Sequence, residues 1–286
     1  MGVVGKKTNN HSRLAVLAIL AFSVLLAQCD RDKPEPVARK PGAAESTLTT
    51  VPVIVTPTPL TRTELLAALA RAASVYASGE AVEGTDPLVG RPFAIRIPFG
   101  CGGPQPNGAE EANDGLAGWS WGPERKTIQL TLMPGDWLNT ALISSASDGS
   151  DWEAVEGFWI PQPWLATEAR SSVRADALQS GEAAPSPQTV GLAAVFKADE
   201  SRVGRRNGRA DAFTVRADGE TPPAAPVVGY RAVVEGRMVA FRGGRSIRCR
   251  ASRPDQRRVC IAAIKLDRVA FTTARSGEAL SEWRPG

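Results

Sequence analysis

Histidine is almost missing from this chain. The only one, His11, lies in the N-terminal 29 residues, so the remaining 257 residues have none. That absence excludes Ser-His and Cys-His mechanisms for the bulk of the chain, because nothing there supplies an imidazole base. It also removes the commonest ligand of a transition metal, and no C-x-x-C pair takes its place. No S-x-x-K is present to offer a lysine base. Gly100-Cys101-Gly102-Gly103-Pro104 is glycine-rich, but it lacks the G-K-[ST] ending of a phosphate loop and precedes no helical pattern. A tight turn is its expected role, with the Cys101 thiol at its tip. No cofactor motif, nucleic-acid motif or internal repeat is found. The chain also lacks any apolar run of the roughly 20 residues that a spanning helix needs.

Strong net charge is missing too. The formal charge is +4, but Lys6, Lys7 and Arg13 account for most of it, leaving 31 basic against 30 acidic residues. The nominal pI near 9.0 therefore overstates the attraction to polyanions. The charge is uneven, however. Eight arginines (237, 242, 245, 248, 250, 253, 257 and 258) share one stretch with a single acid, Asp255. The expected reading is an arginine-decorated solvent face of a sheet, with contact to an anionic surface as the functional alternative.

What is present begins with a leader. Lys6, Lys7 and Arg13 precede the uncharged run Leu14–Ala27, and polar residues return at Gln28. A cationic start and a 14-residue apolar run have the form of a secretory signal. The run closes on Leu26-Ala27-Gln28-Cys29, which resembles the lipobox of bacterial prolipoproteins. Gln28 departs from it, standing where a small residue is expected. The resemblance implies acylation of Cys29 and removal of residues 1–28. It also implies residence on the periplasmic side of the bacterial cell envelope, attached to the membrane by lipid. Asp30, directly after the cysteine, resembles the signal that retains some lipoproteins in the inner membrane. An uncleaved anchor and soluble release are the alternatives, and no A-x-A site follows the run to favour release.

Residues 30–60 hold six prolines with mixed charges and the stretch TTVPVIVTPTPL, without a packing period. They read as a tether of up to about 90 Å when extended at about 3.1 Å per residue. Residues 61–286 suffice for one large β-rich domain, with a Pro/Ser/Ala-rich stretch near 180–188 marking a long loop or a boundary.

The folded region is expected to open on a helix. Thr61-Arg62-Thr63-Glu64 matches a capping box, Leu65 to Tyr76 carry helical spacing, and Gly79 is a stop. Period-two patterns follow: Phe93, Ile95 and Ile97; then Trp119 and Trp121; then Ile128, Leu130 and Leu132 after a turn at Gly122–Arg125. Val155–Ile160 and Val190–Phe196 read as buried strands. A meander is expected from Tyr230 to Phe271, with turns at Glu235-Gly236 and Gly243-Gly244. The fold class is mainly β (α+β): an antiparallel sandwich or open barrel with one N-terminal helix.

Three features carry candidate sites. Gly118-Trp119-Ser120-Trp121-Gly122 matches G-x-S-x-G, but it runs into a hairpin rather than a helix, so Ser120 reads as a strand residue. Six of seven tryptophans fall between 119 and 164. Trp119, Trp121, Trp137 and Trp152, with acids nearby, offer stacking platforms for an envelope glycan; the plainer reading makes them core. A glycan-active enzyme would need paired carboxylates, for which Glu110, Glu111, Asp148, Asp151, Glu153 and Glu156 are available. Finally, a turn centred on Pro254-Asp255 places Cys249 opposite Cys260 on one face of a hairpin, where a disulfide is expected in an oxidising compartment. Cys101 is then the thiol left over; the competing arrangement joins Cys101 to either of the two and leaves the third free. A non-catalytic binding or structural module fits these features best, with the glycan-active enzyme as the alternative.

Overall fold

The first element is the helix α1, Arg62–Ser78. Thr61 caps it: the Glu64 N–H donates to Thr61 Oγ1, and the Thr61 N–H donates to Glu64 Oε2. Gly79 ends it in the left-handed region at φ 71°. The fully buried side chains, from Arg62 to Leu69, all lie in its first half. The second half carries the small side chains Ala72, Ala73 and Val75, which are only half-buried.

The structure is a computed structural model that describes residues 57–105, 115–144, 152–168, 187–197, 200, 211–217, 219 and 221–284. Cys29 and the leader lie outside these residues, as does most of the tether. Ile54–Gly286 form one compact unit. Leu60 already belongs to its core: it is 2% exposed and bridges Phe93. Among the described residues no helix is long and apolar enough to cross a membrane.

The strands are β1 (Pro92–Phe99), β2 (Ala117–Trp121), β3 (Thr127–Leu132), β4 (Gly135–Asp136), β5 (Ala154–Trp159) and β6 (Val190–Phe196). They continue with β7 (Asp211–Arg216), β8 (Tyr230–Met238), β9 (Ile247–Arg250), β10 (Val259–Thr273) and β11 (Ala279–Trp283). A large sheet runs β1-β8-β10-β6-β5-β4, with β9 and β11 also paired to β10; a small sheet runs β2-β3-β7. Residues of both sheets and of α1 share one core, including Leu65, Ile95, Trp119, Leu130, Leu192 and Phe271. The fold is thus mainly β, two packed sheets and one helix, without a closed barrel. Among the named strands it departs from an all-antiparallel arrangement where β6 and β10 run parallel.

Strand β10 organises the large sheet. Cys260, Ala262, Ile264 and Leu266 face the main core, while Ile261 and Ala263 face a second cluster with Trp137, Val155 and Phe241. After Asp267 the parity reverses, and Val269 and Phe271 face the main core. The cause is a bulge: Leu266 pairs with Gly236 and Arg268 with Glu235, leaving Asp267 unpaired. One extra residue keeps a 15-residue strand facing one core along its whole length.

One of the two expected turns needs correction. No turn forms at Glu235-Gly236, because β8 continues through both residues to Met238 in register with β10. The turn at Gly243-Gly244 does form, closed by the Gly244 N–H on the Phe241 carbonyl, but it does not join a hairpin. There the chain leaves β10 after Val239 and returns at Ser246, whose carbonyl accepts the Ala263 N–H, and β9 pairs with the same strand. Strands β8 and β9 therefore lie end to end beside β10 instead of forming a hairpin with each other. The stretch near 180–188 joins β5 to β6, which pair directly in one sheet; residues 180–186 lie outside the described residues.

Candidate functional site

The tryptophans do not form a groove. Trp119 is 2% exposed and its indole N–H donates to the Gly100 carbonyl at 3.0 Å. A side chain at Gly100 would collide with that ring. Trp137 is 6% exposed and lies over Gly157 and Gly191, where any Cβ would meet the indole. These two rings present no open face, which corrects the stacking assignment for Trp119 and Trp137. They also belong to different cores, Trp119 to the main one and Trp137 to the second. Trp121 is half-buried, edge-on to Trp119 at 5.3 Å, with the Arg125 guanidinium 6.0 Å from its ring. Trp152 is half-buried against Phe241. Trp164, outside the expected four, is the exposed one at 61%.

The carboxylates fare similarly. Glu110, Glu111, Asp148 and Asp151 lie outside the described residues. Glu156 is buried in β5, and Glu153 is exposed. Asp136 stands opposite Glu156 across β4 and β5, but its carboxylate accepts the Leu138 N–H at 3.2 Å in a local turn. Ser120 is buried in mid-strand opposite Gln129, without the strained turn of a nucleophile elbow. Cys101 sits half-exposed in the Gly100–Gly103 turn, its thiol donating to the Val228 carbonyl at 3.4 Å. With Gln105, Gln162 and Gln188 it lines a cleft of about 490 Å³ that has no carboxylate among its described lining residues.

Cysteines 249 and 260 are direct partners across β9 and β10, with their sulfurs at disulfide distance. Ile247 pairs with Ala262 in the same register, as the Pro254-Asp255 turn requires. The pair lies beneath α1, which packs on both β9 and β10.

On each side of α1 a groove opens beside this pair. The smaller, about 320 Å³, lies along Leu66, Leu69, Ala70 and Ala73, with Trp164, Arg257, Arg258 and Cys260 opposite. The larger, about 610 Å³, is the candidate site. One wall is Ala68, Ala72, Val75 and Tyr76 of α1; the helical repeat puts the first three in one row. The facing wall is Phe241, Ile247 and Cys249, and residues 82–88 close one end with Val82 and Leu88. The space exists because alanines stand where a larger residue would reach β9. Tyr76 and Val82 are among the few large apolar side chains left exposed, at 45% and 54%.

The polar part of the lining is Arg71, Arg245, Arg248 and Asp86, three cations to one anion. Asp86 is committed to structure. Its carboxylate accepts the Leu88 N–H at 2.9 Å and both the N–H and the hydroxyl of Ser246 at 2.7 Å. Burial pushes that carboxyl up; the hydrogen bonds and the Arg245 charge outweigh it and hold it below the usual aspartate range. Arg245 donates to the Val82 carbonyl and ties the same end loop. Burial lowers Arg248 below the usual arginine value, and the charge of Arg250 adds to this. The cleft thus joins an apolar body to a cationic lining, with its carboxylate already in use.

Sequence reasoning placed Arg245 and Arg248 on a plain solvent face and missed their part in a cleft. The signal was the small-residue row on α1. It becomes visible only when that helix is laid over β9. Comparison with protein-family models, with curated proteins and with solved structures finds no match to this chain.

Proposed function

We propose that this protein is a non-catalytic binding module of the bacterial cell envelope. An acyl group on Cys29 holds it on the periplasmic side of the inner membrane, and the cleft beside α1 takes its ligand. The observation that carries the reading is the cleft: about 610 Å³, apolar along both walls, of a size that suits a small ligand. The one carboxylate among its described lining residues, Asp86, is engaged in three structural hydrogen bonds, so the described lining offers no acid–base pair. The lipobox-like Leu26–Cys29 and the proline-rich tether support the membrane attachment. An oxidising compartment would join Cys249 to Cys260 and fix the cleft wall to β10.

The test has two parts in cells lacking the native chain. Cys29→Ala is expected to abolish metabolic acyl labelling and leave the signal unprocessed. Ala72→Trp, which fills the cleft, is expected to reproduce the null phenotype while the protein stays lipidated and folded. Unlabelled wild-type protein would reject the anchor. A fully functional Ala72→Trp chain would reject the cleft.

A further inference from the structure

The chemistry of this cleft narrows its ligand. We propose that it binds one molecule of a single-chain anionic amphiphile, a long-chain free carboxylate, with the chain between α1 and β9 and the head group at the arginines. This rests on the reading of the cleft as the binding site.

Shape and lining select an acyl chain. The walls are apolar: Ala68, Ala72, Val75 and Tyr76 on one side, Phe241, Ile247 and Cys249 on the other, with Leu88 at the end. Two walls of this kind, one a helix and one a strand, leave a slot that suits a flexible chain. The slot presents no row of hydrogen-bonding groups of the kind a sugar requires.

Charge selects an anion. Among the described lining residues Arg71, Arg245 and Arg248 outnumber Asp86 by two. Asp86 and Arg245 already hold the end loop together. Arg71 stands exposed on α1 beside the cleft, and a carboxylate placed against its guanidinium gains a charge-assisted hydrogen bond. A cationic amphiphile would be repelled by this lining, and a neutral one would gain no such bond.

The experiment uses membranes isolated from cells that express the full chain, so that no new acylation of Cys29 can occur. The probe is a C16 carboxylate with a mid-chain diazirine, photolysed and mapped by mass spectrometry. Adducts are expected in the peptides covering 68–76 and 241–249. Palmitate should compete, and hexadecanol should compete at least about tenfold less well, the effect of about one charge-assisted hydrogen bond. Arg71→Glu, an exposed change on α1 that leaves the core untouched, should lower the adduct yield by a similar factor.

Equal competition by hexadecanol would overturn the anionic head group, and adducts confined to other peptides would overturn the site. A diazirine phosphatidylglycerol that labels the same two peptides as strongly as the free carboxylate would show docking on the bilayer instead. If the carboxylate fails to enter while Ala72→Trp still loses cellular function, the ligand class is wrong and the cleft remains the binding site. If Ala72→Trp is also functional, both fall.

Discussion

Two stretches of this chain stand out by composition, and their fates are opposite. The tryptophan-rich stretch from 119 to 164 offers candidate stacking platforms and mostly supplies core: Trp119 and Trp137 are buried, Trp121 and Trp152 are half-covered by neighbours, and Trp164 alone of these five is exposed. The arginine-rich stretch from 237 to 258 looks like ordinary solvated surface. It contributes Arg245 and Arg248 to one groove beside α1 and Arg257 and Arg258 to the other. Composition tells where large or charged side chains occur. Strand pairing decides what they face, and here it turns the rings inward and sets the cations along a helix that does not fill its seat.

The largest expected effect tests the tryptophan half of that contrast. Trp119→Ala and Trp137→Ala should each cost about 3–5 kcal/mol of unfolding free energy, read by denaturant titration. Gly157→Leu should be comparably harmful, because it displaces the Trp137 ring from its seat. Trp164→Ala, on an exposed ring, should stay within about 0.5 kcal/mol. Loss of glycan binding at unchanged stability in the Trp119 variant would reverse the assignment.

Next comes the cysteine pair under α1. Bonded Cys249 and Cys260 close a short loop, so Cys249→Ser with Cys260→Ser should lose roughly 2–3 kcal/mol. Non-reducing peptide mapping checks the linkage itself; a bond from Cys101 to either partner would contradict it.

How legible was this in the sequence? The capping box, the Gly79 stop and the β2–β3 hairpin could all be read, because each is fixed by residues within a few positions of one another. The Cys249–Cys260 register could be read for the same reason. The parallel β6–β10 pair could not, since strand neighbours distant in sequence are chosen by packing rather than by local chemistry. Nor could β8 and β9 lying end to end. Glu235-Gly236 has turn composition, yet the main core takes Val234 and Met238 on either side and holds the strand straight. The cleft escaped notice for the most physical of reasons: it is made of what alanine lacks.

A smaller effect probes the end loop of the cleft. Asp86→Ala should cost about 1–2 kcal/mol by leaving the Ser246 and Leu88 donors unpaired. The folded-state pKa of Asp86 is depressed, so its contribution is fully present above the unfolded value of about 3.9. It is lost as pH falls below that value and through the folded one. Wild type should therefore lose stability between neutral pH and pH 3 more steeply than the Asp86→Ala chain, measured by thermal denaturation at each pH. Parallel curves would show that the carboxylate does not secure the loop. Smallest of all, Arg242→Ala, on an exposed side chain outside both grooves, should leave stability and binding unchanged.

The most direct measurement sets the two stretches against each other in one sample. Hydrogen–deuterium exchange of the full chain in nanodiscs is recorded with palmitate, and separately with a soluble envelope glycan fragment. The expected result is protection by palmitate at 68–76, 82–88 and 241–249, with no change from 117 to 159 under either addition. Protection of 117–159 by the glycan, with the cleft segments unmoved by palmitate, would place the working surface at the tryptophans and contradict the division of roles drawn here.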